Sequence, residues 1–277
     1  MDIHEMVVPL KKVVQIGLSG TKMKIQFASD LHLEMAANAA WLQSHPLEVA
    51  GDILVLAGDT AYLEEDMPNW FLDWASASYQ QVLLIPGNHE FYLYGDMTKR
   101  GESWQWMLRE NVGYYYNKVV IIDNTDLILS TMWSHIPEVD MFQVQRGLND
   151  FYQILCNDHR LTPDDFNTEH ERCKHFIMKS VAESKAKCIV VVTHHVPTLQ
   201  AVAPQHQGSA LSSAIAVEMG NFIAESHIDY WIYGHSHTNI DTEIGNTKIV
   251  SNQLGYIAYS EQHNGFNNKR ILNINNQ

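Results

Sequence analysis

Five short polar motifs follow one another in a fixed order along this chain, each directly after an apolar run. They are Asp30-Leu31-His32, Gly58-Asp59, Gly87-Asn88-His89-Glu90, Thr193-His194-His195 and Gly234-His235-Ser236-His237. The runs before them, Lys24–Ala28, Ile53–Ala57, Gln81–Ile85, Cys188–Thr193 and Tyr230–Tyr233, have the length and composition of buried strands. In α/β folds ligands collect at the carboxyl ends of strands, and here the pattern of strand then polar motif occurs five times.

The rest of the chain fits that class. Further strands are expected at Val119–Ile122, Leu127–Thr131 and Thr247–Ser251, and helices at Pro68–Ala77, Ser103–Glu110 and Ser212–Glu225. Thr162-Pro163-Asp164-Asp165 is a strong helix start, with a capping Thr, Pro at the first helical position and acids in the first turn. Phe166, His170, Cys173, Phe176, Ile177 and Val181 then recur at helical spacing, so this helix reaches about Ser184. Alternation of strands and helices gives an α/β fold. No repeat, low-complexity tract or Pro/Gly-rich linker divides the chain, so residues 23–277 read as one domain. Residues 1–22 read as an appendage before a first strand at Met23. The stretch from about Gly95 to Leu161 is the least regular; its aromatics, including Tyr92, Tyr94, Trp104, Trp133 and Phe142, are expected to form part of a rim beside the site.

Composition narrows the partners. The 277 residues carry 18 Lys and Arg against 32 Asp and Glu, a net charge of -14. An acidic surface repels nucleic acid and anionic membranes, which leaves small ligands drawn in by local positive charge at bound metals. Cys156, Cys173 and Cys188 are odd in number and widely spaced, so they frame neither disulfides nor a zinc-thiolate site, and a reducing cytoplasm is the simplest setting. No apolar stretch approaches the roughly 18 residues of a membrane-spanning helix. The run Met6 to Leu10 is broken by Lys11 and Lys12, too early for a signal peptide.

Asp, His and Asn side chains from five loops make a ligand set for two divalent ions held close together, and two such ions can split a phosphate ester with a shared hydroxide. Taken singly the motifs differ in weight. Asp30 and His32, two apart at a strand end, can reach one ion, but they also suit a loop carboxylate beside a surface His. Gly58-Asp59 is by itself an ordinary turn. Gly234-His235-Ser236-His237 is the most specific, because Gly and His each occur 15 times in the chain and that spacing arises by chance only about 0.05 times.

Taken together these residues resemble the calcineurin-like metallophosphoesterase superfamily, over roughly Met23 to Gly255. Its signature, Asp-x-His, Gly-Asp, Gly-Asn-His-(Glu/Asp), His and Gly-His-x-His, is present in all five parts. The resemblance implies a four-layer α/β/β/α sandwich with two mixed β-sheets and a dinuclear metal site. It implies that Asp30, His32 and His237 hold the first metal, that Asn88, His194 and His235 hold the second, and that Asp59 bridges both. It makes His89 the group that stabilises the transition state or protonates the leaving oxygen, a role imidazole suits near neutral pH. His194 takes the ligand position ahead of its neighbour because the family places the ligand first, and His195 either lines the substrate pocket or packs in the loop before Pro197. Asn88, His89 and His195 are the expected substrate contacts; His135 and His206 are weaker ones. Glu90 either orients its loop or is simply a helix-start carboxylate, and Asn252 is read as a turn residue rather than the site floor.

Gly58-Asp59-Thr60-Ala61-Tyr62 also matches the Gly-Asp-x-x-Tyr motif of purple acid phosphatases, where Tyr binds ferric iron. Those enzymes lack a His in the place of His32 and are typically secreted, so Tyr62 is read as a packing residue. Protein phosphatases of the superfamily end on a lone His. Gly-His-Ser-His looks more like the phosphodiesterase and small-molecule branch, which implies a phosphodiester substrate. A phosphomonoesterase, a nuclease and a non-catalytic scaffold are the alternatives. The acidic balance, with no basic stripe, argues against the nuclease, and the complete ligand set argues against the scaffold. Manganese, iron, zinc, cobalt and nickel all suit the mixed shell.

Overall fold

A computed structural model describes residues 14–16, 22–63, 67–204 and 207–275. Two sheets carry the architecture. The six-stranded sheet is ordered β15 (Ile271–Asn275), β2 (Lys22–Ala28), β3 (Ile53–Ala57), β4 (Gln81–Ile85), β6 (Val112–Tyr116) and β5 (Trp104–Arg109). The seven-stranded sheet is ordered β1 (Val14–Ile16), β7 (Lys118–Ile122), β8 (Thr125–Leu129), β11 (Cys188–Val192), β12 (Tyr230–Tyr233), β14 (Thr247–Ser251) and β13 (Thr242–Ile244). β9 (Leu155–Cys156) and β10 (His159–Arg160) form a small separate hairpin. Both large sheets mix parallel and antiparallel pairs.

Alternation along the strands explains the layering. Ile53, Val55 and Ala57 of β3 face Val190 and Val192 of β11 in a core between the sheets, while Leu54 and Leu56 point outward onto a second core with Leu42 and Phe71. Those two residues belong to the helices α1 (Ala36–Ser44) and α2 (Asn69–Ser78). On the far side, Val191 and Trp231 pack with Ile177 and Ile223 of α5 (Pro163–Glu183) and α6 (Gly220–Glu225) in a third core. The result is the four-layer α/β/β/α sandwich. The central strands read as unbroken apolar runs because both of their faces are covered. Two further helices, α3 (Glu138–Gly147) and α4 (Asp150–Gln153), lie in the segment after β8. No helix among the described residues is long and apolar enough to cross a membrane.

The helix start at Thr162 is built as expected. Its hydroxyl accepts from the Asp165 amide, and the Asp165 carboxylate accepts from the Thr162 amide, a reciprocal capping box. Three expectations differ from the structure. Residues 104–109 form the edge strand β5, not a helix; Trp104 and Trp106 alternate with the exposed Gln105 and Met107, the period of a strand. The helix expected over Ser212–Glu225 is a 3-10 turn at Ala210–Ala214 followed by the short α6. Between them, main-chain bonds between Val196 and both Ile215 and Val217 hold the backbone extended. The segment read as an appendage contributes a strand, Val14–Ile16, parallel to β7.

Candidate metal centre

Three of the motif loops leave the adjacent parallel strands β2, β3 and β4, and two leave the adjacent parallel strands β11 and β12 of the other sheet. All five loops meet at one end of the sandwich. Reaching inward strains the backbone: Asp30 (φ 55), His32 (φ 48), Asp59 (φ 52), His235 (φ 75) and His237 (φ 48) are all left-handed. Non-glycine residues adopt that region at a cost, and clusters of them mark sites where geometry is being imposed. Gly87 makes room for the convergence. A Cβ there would lie 2.2 Å from Asp59 Oδ1 and 2.7 Å from His194 Nε2.

The side chains form two clusters joined by one carboxylate. In the first, His237 Nε2 lies 3.1 Å from His32 Nε2 and 3.4 Å from Asp30 Oδ1. In the second, His194 Nε2 lies 3.1 Å from Asn88 Oδ1, 3.1 Å from His235 Nδ1 and 3.3 Å from Asp59 Oδ1. The other Asp59 oxygen, Oδ2, faces the first cluster, 3.9 Å from His32 Nε2.

What converges here is acceptors. His32 Nδ1 is spent on Glu34 (2.9 Å) and His237 Nδ1 on Glu261 (2.6 Å), which leaves both Nε2 atoms as lone pairs in the neutral rings. His194 Nδ1 donates to the Ala57 carbonyl (2.9 Å), and the amide nitrogen of Asn88 donates to Asp150 (2.9 Å), turning Asn88 Oδ1 inward. Lone pairs aimed at one another a little over 3 Å apart repel unless a cation lies between them, so the donor set fits two divalent ions. Protons are the competitors. Burial would lower His194 and His237, but the Asp59 charge raises the first to about 9, and the Asp30 and Glu261 bonds raise the second to about 10. His235, by contrast, is pushed down to about 3 by burial and by the charge of His194. Ligands must shed such protons to take a metal.

The family model for calcineurin-like phosphoesterases matches residues 23–239, most of the chain and every one of these loops. The chain belongs to that family. It is 25% identical over 276 residues to the uncharacterized protein L509 of Acanthamoeba polyphaga mimivirus, covering 90% of this chain and 96% of that one. Among solved structures it is similar to the phosphopantetheinyl hydrolase of Mycobacterium tuberculosis, with a TM-score of 0.65 at 17% identity over 91% of this chain and 96% of that one. A dimetal phosphatase from Danio rerio aligns at a TM-score of 0.42 and 13% identity, over 83% and 87% of the two chains.

Within the family frame a buried polar layer holds the motif residues, and sequence reading missed most of it. Glu34 accepts from Nδ1 of both His32 (2.9 Å) and His89 (3.2 Å). Its position two residues after His32 continues the Asp-x-His step of two, a signal that was available. Asp150 accepts from Asn88 and from the Tyr92 hydroxyl (2.7 Å), and the Tyr92 ring stacks on His89 at 4.2 Å. Glu261 orients His237. Neither Asp150 nor Glu261 lies in a motif.

The other sequence-selected residues sort differently. His195 is fully buried; neither ring nitrogen has a hydrogen-bond partner, and the ring packs on His235, Trp133 and Phe166. It packs among these rings instead of lining a pocket. Of the expected rim aromatics, Trp104 and Trp133 are core residues, while Tyr94 and Phe142 are exposed. Tyr62 packs its ring beside Tyr92 and His89. Asn252 ties β14 to Phe27 and Asn267. His135 is exposed against His170, and His206 lies outside the described residues.

Glu90 is the loop organiser of its two readings. Oε2 accepts from the amides of Asp59 (2.9 Å) and Gly87 (2.7 Å), and Oε1 from the Thr60 amide (2.8 Å) and the Tyr114 hydroxyl (3.1 Å). Burial, aided by the Asp59 charge, pushes its carboxyl up to about 8, yet all four partners are donors and only the carboxylate answers them all. Glu90→Gln puts an amide donor against two of these donors. We expect it to lower unfolding stability by about 1–3 kcal/mol, read from the urea midpoint; an unchanged midpoint would show that the loops hold without it.

Proposed function

We propose that the protein is a dinuclear-metal phosphoric ester hydrolase that acts on small phosphodiesters. The observation that carries this reading is the convergence of Asp, His and Asn side chains into two clusters joined by Asp59. Asp30, His32 and His237 would hold one ion and Asn88, His194 and His235 the other, with Asp59 between them. When bound, two divalent ions supply charge to stabilise the phosphoryl oxygens and activate a water as nucleophile. The chain's own part is positioning and proton transfer. Asn88 and His89 face the substrate, and Glu34 holds Nδ1 of His89 so that Nε2 is the nitrogen offered to the leaving oxygen. Burial would lower His89, but the Asp59 charge and the Glu34 bond raise it, which favours the protonated form a general acid needs.

Charge around the site supports a diester. Among the described residues, the hydrogen bonds and ion pairs of these side chains involve acids, His, Asn, Ser and Tyr but no Lys or Arg. A monoester dianion brings a second negative charge that no Lys or Arg side chain in this set answers, whereas a diester brings one. The overall charge of -14 disfavours long polyanions in the same way.

The test is hydrolysis of a chromogenic phosphodiester beside the matching monoester, after chelation and add-back of manganese and then of iron, zinc, cobalt and nickel. Phosphopantetheinyl esters join the panel because the similar Mycobacterium tuberculosis protein is a phosphopantetheinyl hydrolase. Metal-restored cleavage with the diester preferred is the expected result. Preference for the monoester would move the assignment to a phosphatase, and a protein inert with every metal would stand as a scaffold.

A further inference from the structure

After β14 the chain returns to the centre through residues 252–266, a strap beyond the end of the family match at residue 239. The strap delivers Tyr256. Its backbone is pinned on both sides. Asn38 of α1 donates to the Gly255 carbonyl (2.8 Å) and accepts from the Ile257 amide (3.2 Å), and Glu261 accepts from the Tyr256 amide (2.6 Å). The Glu261 oxygen that takes the Tyr256 amide is the one that takes His237 Nδ1, so the strap and the first cluster are set by one carboxylate.

So placed, the half-buried Tyr256 ring stands over that cluster, with its centroid 4.5 Å from the His32 ring and 4.6 Å from the His237 ring. Its hydroxyl lies 3.2 Å from Nε2 of His89. The other nitrogen of His89 is held by Glu34, so Tyr256 occupies the one face of the imidazole from which a proton can be handed on. A phenol keeps its proton at neutral pH and offers one neutral donor.

Resting on the reading of His89 as proton donor, we propose that Tyr256 is a substrate-contacting residue that serves the leaving group. In the free protein its hydroxyl oxygen accepts from the Nε2–H of His89; with a phosphodiester bound its own O–H turns to the leaving-group oxygen. Water adds its oxygen to phosphorus, and the P–O bond to the leaving alcohol breaks. The electron pair left on that oxygen takes the Nε2 proton of His89, and the water's proton in turn restores His89. Tyr256 keeps its own proton throughout and donates a hydrogen bond to the oxygen as negative charge builds on it. The contact therefore matters in proportion to that charge: much for a poor leaving group, little for an activated one.

Tyr256→Phe keeps the ring and loses only the hydroxyl; Tyr259→Phe, exposed three residues further along the strap, is the control. Metal per chain is measured by plasma emission, orthovanadate binding to the metal-loaded protein by calorimetry, and kcat and KM with phenyl and 4-nitrophenyl esters of one diester series. For Tyr256→Phe we expect wild-type metal content and about tenfold weaker vanadate binding, since vanadate mimics the transition state. We expect kcat to fall about 10–100-fold on the phenyl ester and under about threefold on the nitrophenyl ester, at similar KM. Equal losses on both esters, no loss on either, or loss of metal would overturn the inference while leaving the hydrolase assignment intact. A wild-type protein that cleaves neither ester would overturn both.

Discussion

Replacing Asp59 with Asn is expected to abolish measurable turnover and to lower metal occupancy at both positions. Asp59 is the one side chain whose two oxygens face different clusters, Oδ1 toward His194 and Oδ2 toward His32. It is fully buried, and although burial alone would raise its pKa, His194 and His89 hold it well below the usual carboxylate range. The fold thus keeps an ionised carboxylate where two cations would need it. An amide of the same shape offers one oxygen instead of two and removes a full negative charge. Its NH2 group would also point a donor at a lone pair of one cluster or at the His89 amide, which donates to Oδ1 (2.9 Å). The measurement is metal per chain by plasma emission, beside activity on the chromogenic diester. Occupancy near two ions per chain with activity retained would remove Asp59 from the bridging role and with it the paired arrangement. Loss at one cluster alone would show that the carboxylate serves a single ion.

The convergence of these residues was legible because the proposed ligands are tied to strand ends. A strand fixes where its last residue emerges, so a polar motif after an apolar run carries spatial information that a motif in a loop does not. Asp30, Asp59, Asn88, His194 and His235 each leave a separate parallel strand, and the order of motifs in the sequence is the order of loops around one rim. The layering followed for the same reason, since runs such as Ile53–Ala57 with no exposed face require cover on both sides.

What escaped notice depends on contacts distant in sequence. Asp150 matters because a short helix after β8 sets it against Asn88, 62 residues earlier. Tyr256 and Glu261 matter because the chain returns after β14, and nothing in Gly255-Tyr256-Ile257 announces a site. Residues 103–110 failed at a different level. Their aromatics suit either period over so short a run, and pairing with β6 decided the outcome. Of the two readings of His195 the structure has the packing one: its ring lies buried against His235, Trp133 and Phe166, a direction that adjacency to His194 does not specify.

His89→Ala is expected to separate chemistry from metal binding. Turnover should fall by roughly 10²–10⁴-fold, the range for loss of a general acid, while both clusters keep their metal. The separation follows from what each nitrogen of His89 touches. Nδ1 lies 3.2 Å from Glu34 and Nε2 lies 3.2 Å from the Tyr256 hydroxyl, so the ring bridges a buried carboxylate and the substrate side. Its amide, not its ring, bonds Asp59, so Ala retains that contact. Glu34 keeps His32 as a partner, which limits the disturbance to the first cluster. The pH profile gives a second reading of the role. A general acid works protonated, so wild-type kcat should decline as pH rises through the pKa of His89, which the Asp59 charge and the Glu34 bond raise against the effect of burial. Bound cations pull that value back down, and the decline marks where the balance falls. In His89→Ala the alkaline limb should vanish along with most of the rate. Metal stripped by the substitution would make His89 a ligand, in line with the grouping of His32, Asp59 and His89 within metal-binding distance of one another. A small loss with the limb intact would pass the proton-transfer role to another group, and the Tyr256 hydroxyl is the nearest one able to donate.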